Sequence, residues 1–183
     1  IYPLEWVRNR LKQGDRALYE YVDEIHEDIS GRSIPQGVLD RHQYLLRNED
    51  VACVATADKL YREVRAVRSQ HCALVTNGVD MAHFSVSRHQ RSVPAVLASS
   101  VSAGKPIIGY FGALAKWFDY ELVCKIAELR PGFEIVLIGP DYDGSVRWLE
   151  LHKPPNLAFL GPVDYKQLPG YACWFDVSMI PFR

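Results

Sequence analysis

Lys116 is the only cation between Gly112 and Asp119 in the stretch IIGYFGALAKWFDYELV, residues 107–123. An apolar run with the look of a buried strand leads into Gly112, and a helix is expected to begin near Asp119. Glycine lets a backbone approach a ligand closely, and a helix start presents N–H groups and the positive end of a dipole. With one ammonium added, these are the parts from which a phosphate site is built. An ordinary strand-to-helix turn with Asp119 as N-cap uses the same residues, and neither G-x-G-x-x-G nor G-x-x-x-x-G-K-[ST] occurs here. Two further apolar runs end in the same way. LIGPDYDG, residues 137–144, stops at Gly139-Pro140 and opens into Asp141, Tyr142 and Asp143. FLGPVDYK stops at Gly161-Pro162 and continues into Val163. Ligands of open parallel sheets bind beyond the carboxyl ends of the strands, so three glycine-marked ends in succession strengthen one another.

Other candidates lie in the first half. YEYVDEIHEDISG places Asp23, Glu24 and His26 after a strand. The Asp23/Glu24 pair has the composition for acid–base chemistry, and a solvated loop is the simpler reading. Arg62, Arg65 and Arg68 recur every third residue on an expected helix. They suit peripheral contact with an anionic membrane surface, although a solvated helix face is the preferred expectation.

The elements that would position these residues follow from hydropathy. Strands are expected at Ala17–Val22, Val51–Ala55, Cys72–Val75, Pro106–Phe111, Phe133–Ile138, Leu157–Leu160 and Phe175–Met179. Helical faces are marked by Leu4, Val7 and Leu11; by Val38, Tyr44 and Leu45; by Leu60, Val64 and Val67; and by Leu122, Ile126 and Leu129. Strands apolar almost throughout that alternate with helices indicate an α/β fold with parallel sheets covered on both faces. The alternation breaks in the Ser-rich stretch from Ser85 to Lys105. We therefore expect two partial Rossmann-like units, residues 1–84 and 105–183, joined by a linker over 85–104.

Composition excludes several classes. Hydrophobic residues make up 48% of the 183, enough for a packed core. The net charge is −1, with 13 basic and 13 acidic residues in 1–100 and 8 and 9 in 101–183, so no nucleic-acid partner is expected. Cys53, Cys72, Cys124 and Cys173 stand 19, 52 and 49 residues apart without a C-x-x-C, which reads as reduced core cysteines of a cytoplasmic protein. The six histidines lack ligand spacing, so no metal is expected. No apolar run reaches the ~18 residues of a membrane span. Ile1 in place of a methionine suggests a piece of a longer polypeptide.

Several segments resemble the GT-B glycosyltransferases of the family 4-like, or group 1, type. ALVTNGVDMAHF resembles the P-N-G-V-D-x-x-x-F segment where the N-terminal domain hands over to the C-terminal one. Asn77, Gly78, Val79, Asp80 and Phe84 match, and Thr76 stands in the place of the proline. Upstream, VACVATADKLYREV is similar to the preceding strand–helix through Asp50, Val51, Val54, Thr56 and Leu60. YEYVDEI resembles the acidic stretch before that. IGYFGALAKWFDYELV, FEIVLIGP and PNLAFLGPVDYKQLPGYACWFDVSMIPF are similar to the first half of the nucleotide-sugar-binding domain.

The resemblance implies transfer of a sugar from a UDP- or GDP-linked donor to a glycan or lipid-linked acceptor, in surface polysaccharide biosynthesis. It implies retention at the anomeric carbon, no cofactor, and a place in the cytoplasm at the inner face of the membrane. It puts Gly112, Lys116, Gly139, Pro140 and Val163 on the donor and Asp23 and Glu24 on the acceptor side. Where many relatives carry arginine and then lysine, this chain has Ala113 and Phe118, which leaves Lys116 for the diphosphate. The family's E-x7-E segment is expected after Met179–Arg183, since the last glutamate here is Glu150. The expected whole is thus a longer enzyme of which these residues are an internal part, inactive alone. A nucleotide-sugar 2-epimerase on the same fold and a non-catalytic doubly wound module are the alternatives.

Overall fold

A computed structural model describes residues 3–25, 33–85 and 92–183. The chain forms two compact units, Ile1–Val79 and Asp80–Arg183. Their strands belong to separate sheets, one of three strands and one of four. No helix among the described residues is long and apolar enough to cross a membrane.

The first unit runs α1 (Leu4–Lys12), β1 (Ala17–Tyr21), α2 (Gln36–Arg47), β2 (Val51–Ala55), α3 (Asp58–Val67) and β3 (Cys72–Leu74). The strands are parallel in the order β1-β2-β3. Side chains alternate across a strand, and one face gathers the core. Tyr21, Cys53 and Ala55 meet Leu46 of α2 and Leu60 and Val64 of α3. The opposite face was expected to be covered as well, but Leu18 is 58% exposed and Ala52 and Ala73 are also exposed. His42, buried on α2, is hydrogen-bonded through Nδ1 to the Tyr19 hydroxyl at 2.8 Å, and the Tyr21 hydroxyl donates to Glu63 at 2.7 Å. Burial lowers the pKa of His42 against the opposing pull of Glu63, and burial pushes the Tyr19 hydroxyl up to about 12.

Arg68 departs from the expected solvated row of arginines. It is 4% exposed. Its guanidinium donates to the carbonyls of Val51 at 2.7 Å, of His71 at 3.4 Å and of Asn48. The planar fork of five donors explains the inversion: it reaches three backbone carbonyls at once, that of Val51 fully buried. Arg62 stays exposed, as the simpler reading had it.

In the second unit a short helix α4 (Met81–Phe84), a 3-10 turn (Ala95–Leu97) and α5 (Ala98–Ser102) precede β4 (Ile107–Phe111). There follow α6 (Tyr120–Leu129), β5 (Glu134–Ile138), α7 (Val146–His152), β6 (Leu157–Phe159), α8 (Leu168–Ala172) and β7 (Val177–Ser178). The sheet is parallel in the order β6-β5-β4-β7. β5 is buried on both faces. Ile135 and Leu137 join Tyr110, Phe118, Val123 and Leu149 on one side, while Val136 and Ile138 join Leu97, Ile107 and Phe175 on the other. A helical turn thus lies within the Ser-rich stretch, because Leu97 has a fully buried seat on this second face. Asn156 ties the first side together: its Nδ2 donates to the carbonyls of Ala127, Arg130 and Phe133 at 3.0–3.1 Å.

The face expected of α6 is corrected. Ile126 packs against the core as expected, but Leu122 and Leu129 are 47% and 60% exposed, and the helix buries Tyr120, Val123, Cys124 and Ala127 in their place. The aromatic Tyr120 and the small Cys124 and Ala127 fit the pleats of β4 and β5, so shape decides against leucine count. None of the four cysteines is in a disulfide; Cys53 and Cys124 are buried and the other two partly so.

Two outcomes are expected of this unit structure. Arg68→Ala removes the guanidinium from the buried Val51 carbonyl and from those of Asn48 and His71, and should cost about 3 kcal/mol in urea unfolding, with Arg68→Lys recovering only part. His42, with its folded-state pKa lowered, binds fewer protons folded than unfolded. The stability it supports is therefore full above the ordinary histidine pKa and declines as pH falls through ~6.5. Unfolding midpoints measured from pH 7 to pH 5 should fall, and His42→Phe should flatten that slope.

Candidate donor-binding site

The three glycine-marked strand ends lie in line because the sheet order makes β6, β5 and β4 neighbours. Their loops are laced by the backbone. Gly112 N–H donates to the Ile138 carbonyl at 2.9 Å, and Gly139 N–H donates to the Gly161 carbonyl at 2.9 Å. Leu114 N–H donates to the Pro140 carbonyl at 2.9 Å, and Tyr142 N–H to that of Leu114 at 2.9 Å. Gly139 has φ +150°, and a Cβ there would stand 1.8 Å from the Gly112 carbonyl oxygen. The two loops touch, main chain to main chain, where only hydrogen fits. A Cβ on Gly112 would meet the Tyr110 hydroxyl at 2.6 Å.

Lys116 sits on the exposed crest of the first loop, with Leu114 and Ala115 fully buried before it and Phe118 fully buried after it. Its backbone N–H donates to Asp143 Oδ2 at 3.1 Å, and Ser145 N–H donates to Asp143 Oδ1 at 3.1 Å. The hydrogen bond from the Ser145 side chain, followed by these backbone N–H groups and the Lys116 charge, holds the Asp143 carboxyl below the usual range. Lys116 also lines a groove of about 610 Å³ with Tyr120, Arg147, Trp148 and Arg183.

The helix start does not play the part offered to it. Asp119 is the N-cap, accepting Leu122 N–H at 3.0 Å. Tyr120 N–H donates to the Phe118 carbonyl, and Val123 N–H to that of Asp119. Three of the first four N–H groups of α6 are thus engaged within the protein, so the cation and the crossed loops, not the dipole end, are what the site presents. The chain near its end braces the same loop. Phe182 pairs with Phe118, Asp119 N–H donates to the Pro181 carbonyl at 2.7 Å, and Arg183 N–H to the Trp117 carbonyl at 2.9 Å.

The structure brings Gly112, Gly139 and Pro140 together, and the Lys116 main chain is tied to the same second loop through Asp143, while its side chain lines the groove with Arg147 and Trp148. Val163 follows the third loop, its side chain half-buried against Leu97, Ile138 and Phe175. Beyond it Tyr165 stacks on His83 with centroids 4.5 Å apart, and His83 Nε2 donates to the Tyr165 carbonyl at 2.9 Å. In the first unit, Glu24 is paired with Lys59 at 2.5 Å and Asp23 is exposed. His26 lies outside the described residues. Asp143, which the sequence places in the polar mouth after Gly139-Pro140, binds the Lys116 loop, a contact that sequence reading did not foresee although its D-G-S context is an Asx-turn signal.

No protein-family profile matches the chain. The putative teichuronic acid biosynthesis glycosyltransferase TuaH of Bacillus subtilis (strain 168) is 25% identical over 182 residues, 92% of this chain and 44% of TuaH. Among solved structures, Anabaena HepE in complex with UDP-glucose superposes with a TM-score of 0.70 at 13% identity, over 94% of this chain and 48% of HepE. HepE in complex with UDP gives 0.68 at 13% identity, over 96% and 49%. The chain has the fold of a GT-B glycosyltransferase. It spans about half the length of the relatives it matches. Within this GT-B fold the laced glycine loops stand at the carboxyl ends of the second unit's strands, where open α/β sheets take their ligands.

Gly139→Ala should be among the most damaging single changes, costing about 4 kcal/mol or more, since its new methyl would collide with main chain. Gly112→Ala should cost less, because it meets the far end of the Tyr110 side chain. Thermal unfolding of the two variants side by side checks the order.

Proposed function

We infer that the complete protein is a glycosyltransferase that moves a sugar from a nucleotide diphosphate donor, UDP- or GDP-linked, to a hydroxyl of a growing surface glycan or lipid-linked acceptor. The observation that carries this reading is the crossing of Gly112 and Gly139 beside Lys116, in a fold shared with a protein crystallised with UDP-glucose. The sequence likeness to a protein named for teichuronic acid biosynthesis supports the polysaccharide setting. Residues 1–84 would belong to the acceptor domain and 105–183 to the donor domain, acting in the cytoplasm at the inner membrane face. Asp23 and Glu24 would stand on the acceptor side.

The chemistry asks one thing above all of these residues. As the bond between the anomeric carbon and the β-phosphate oxygen breaks, negative charge gathers on the diphosphate. Preorganised donors and cations aimed at that charge lower the barrier. The Lys116 ammonium supplies the positive charge. The glycines at 112 and 139 let the two loops close on one another main chain to main chain, and Pro140 accepts Leu114 N–H, so that the loop carrying Lys116 would meet the diphosphate as part of one fixed surface. Val163 would border the nucleoside. The loop is held rigid by Asp143 and by the buried Phe118, so little reorganisation is needed as charge develops.

Lys116→Ala in the complete enzyme should remove one charge-assisted contact, ~1.5–3 kcal/mol, and lower kcat/KM roughly 10- to 150-fold. Its melting temperature should not move, because the side chain stands in solvent. Steady-state release of the nucleoside diphosphate from the donor checks this; unchanged turnover in a folded variant would take Lys116 out of the donor site.

A further inference from the structure

Two large aromatic side chains stand in solvent beside the glycine crossing. Trp117 is 37% exposed and Tyr142 71%, and their ring centroids lie 5.6 Å apart at an angle of 48°. They come from different loops, after β4 and after β5, and the main chain fixes both. Tyr142 N–H donates to the Leu114 carbonyl, Leu114 pairs with Asp141, and the Trp117 carbonyl accepts from Arg183. Phe118 is locked in the core directly behind Trp117. Scattered exposed apolar residues are commonplace, but these two are held side by side in the open. The rings forgo the dispersion contacts that burial would give them. The two rings are tilted to one another, and the acids Asp141 and Asp143 flank Tyr142 on the same loop. Asp141 accepts Gly144 N–H at 2.8 Å, and Asp143 accepts from Lys116 and Ser145. A carboxylate has about four acceptor sites, so both keep capacity for donors from outside.

A ligand that matches needs an apolar face for the rings and hydroxyl groups at its edge for the carboxylates. A phosphate lacks the first. A flat base stacks on a single ring and carries no hydroxyls for the carboxylates. We propose that Trp117 and Tyr142 form a stacking platform for a pyranose ring, whose C–H face lies on the aromatic pair while its hydroxyls donate to Asp141 and Asp143. Its ligand class rests on the nucleotide-sugar reading above. The pyranose is either the sugar of the donor or a sugar of the acceptor glycan, and the recognition chemistry is the same.

The test uses calorimetric titration with UDP-glucose and with UDP, and saturation-transfer NMR with methyl β-glucopyranoside. The variants are Trp117→Ala, Tyr142→Ala and the conservative Trp117→Phe. Tyr142 is so exposed that its variant should fold normally, which a melting curve verifies. If the donor sugar sits there, both alanine variants weaken UDP-glucose about tenfold, leave UDP unchanged, and Trp117→Phe restores most of the loss. If the acceptor sugar sits there, UDP-glucose affinity holds and the glucoside signal disappears in both variants. Equal weakening of UDP and UDP-glucose would hand the rings to the nucleotide and overturn the platform, as would variants that leave every probe unchanged. A wild-type protein that binds neither nucleotide, yet shows a glucoside signal abolished by both variants, would overturn the donor reading and keep the platform. No binding of any probe would overturn both.

Discussion

The contact between the main chains of Gly112 and Gly139 governs the second unit. Two adjacent parallel strands end together there, and their loops cross with the space of a single hydrogen between them. Everything the site offers is downstream of that approach. Lys116 stands on the crest because Leu114 hydrogen-bonds Pro140, and Asp143 reaches the Lys116 amide because its own loop has already been drawn alongside. Were the loops a side chain further apart, the cation, the aromatic pair and the carboxylates would each sit on an independent, mobile turn. Affinity and rate both depend on how little such groups must be ordered when the ligand arrives.

Charge alone would not have singled out this place. The chain as a whole is close to neutral, and the surface carries many lysines and arginines. What distinguishes Lys116 is its company. The residues around it are fixed by burial of Leu114, Ala115 and Phe118, and the nearest acid, Asp143, is itself consumed in part by backbone donors. The N-terminus of α6 illustrates the converse. Its dipole is real, yet Asp119 already answers it from within the protein.

Much of this was legible in the sequence where one physical rule dominates. The short apolar runs gave β2 to the residue and the other strands to within a few, and the glycines marked the ends that lie in line. Legibility failed where two rules compete. For α6, leucine periodicity competed with shape, and the pleated sheet took Tyr120, Cys124 and Ala127 in preference to Leu122 and Leu129. For Arg68, spacing predicted a solvated charge, while the carbonyls of Asn48 and Val51, brought together only by the fold and invisible in a linear text, drew it inward. The serines around residue 100 hid a helical turn because the decisive feature was a single leucine, Leu97, and the vacancy it fills.

Gly109 carries a different kind of consequence. It lies mid-strand in β4, and a Cβ there would stand 2.1 Å from the Phe175 ring, which occupies the place a side chain would take. Position 109 and position 175 therefore share one volume. Among diverging descendants of this chain, neither site is free to drift by itself: a larger residue at 109 becomes admissible only once 175 has shrunk, and a shrunken 175 leaves a void until 109 grows. The two should be inherited as a matched pair, a record in sequence of a boundary that runs between a strand and the turn packed upon it.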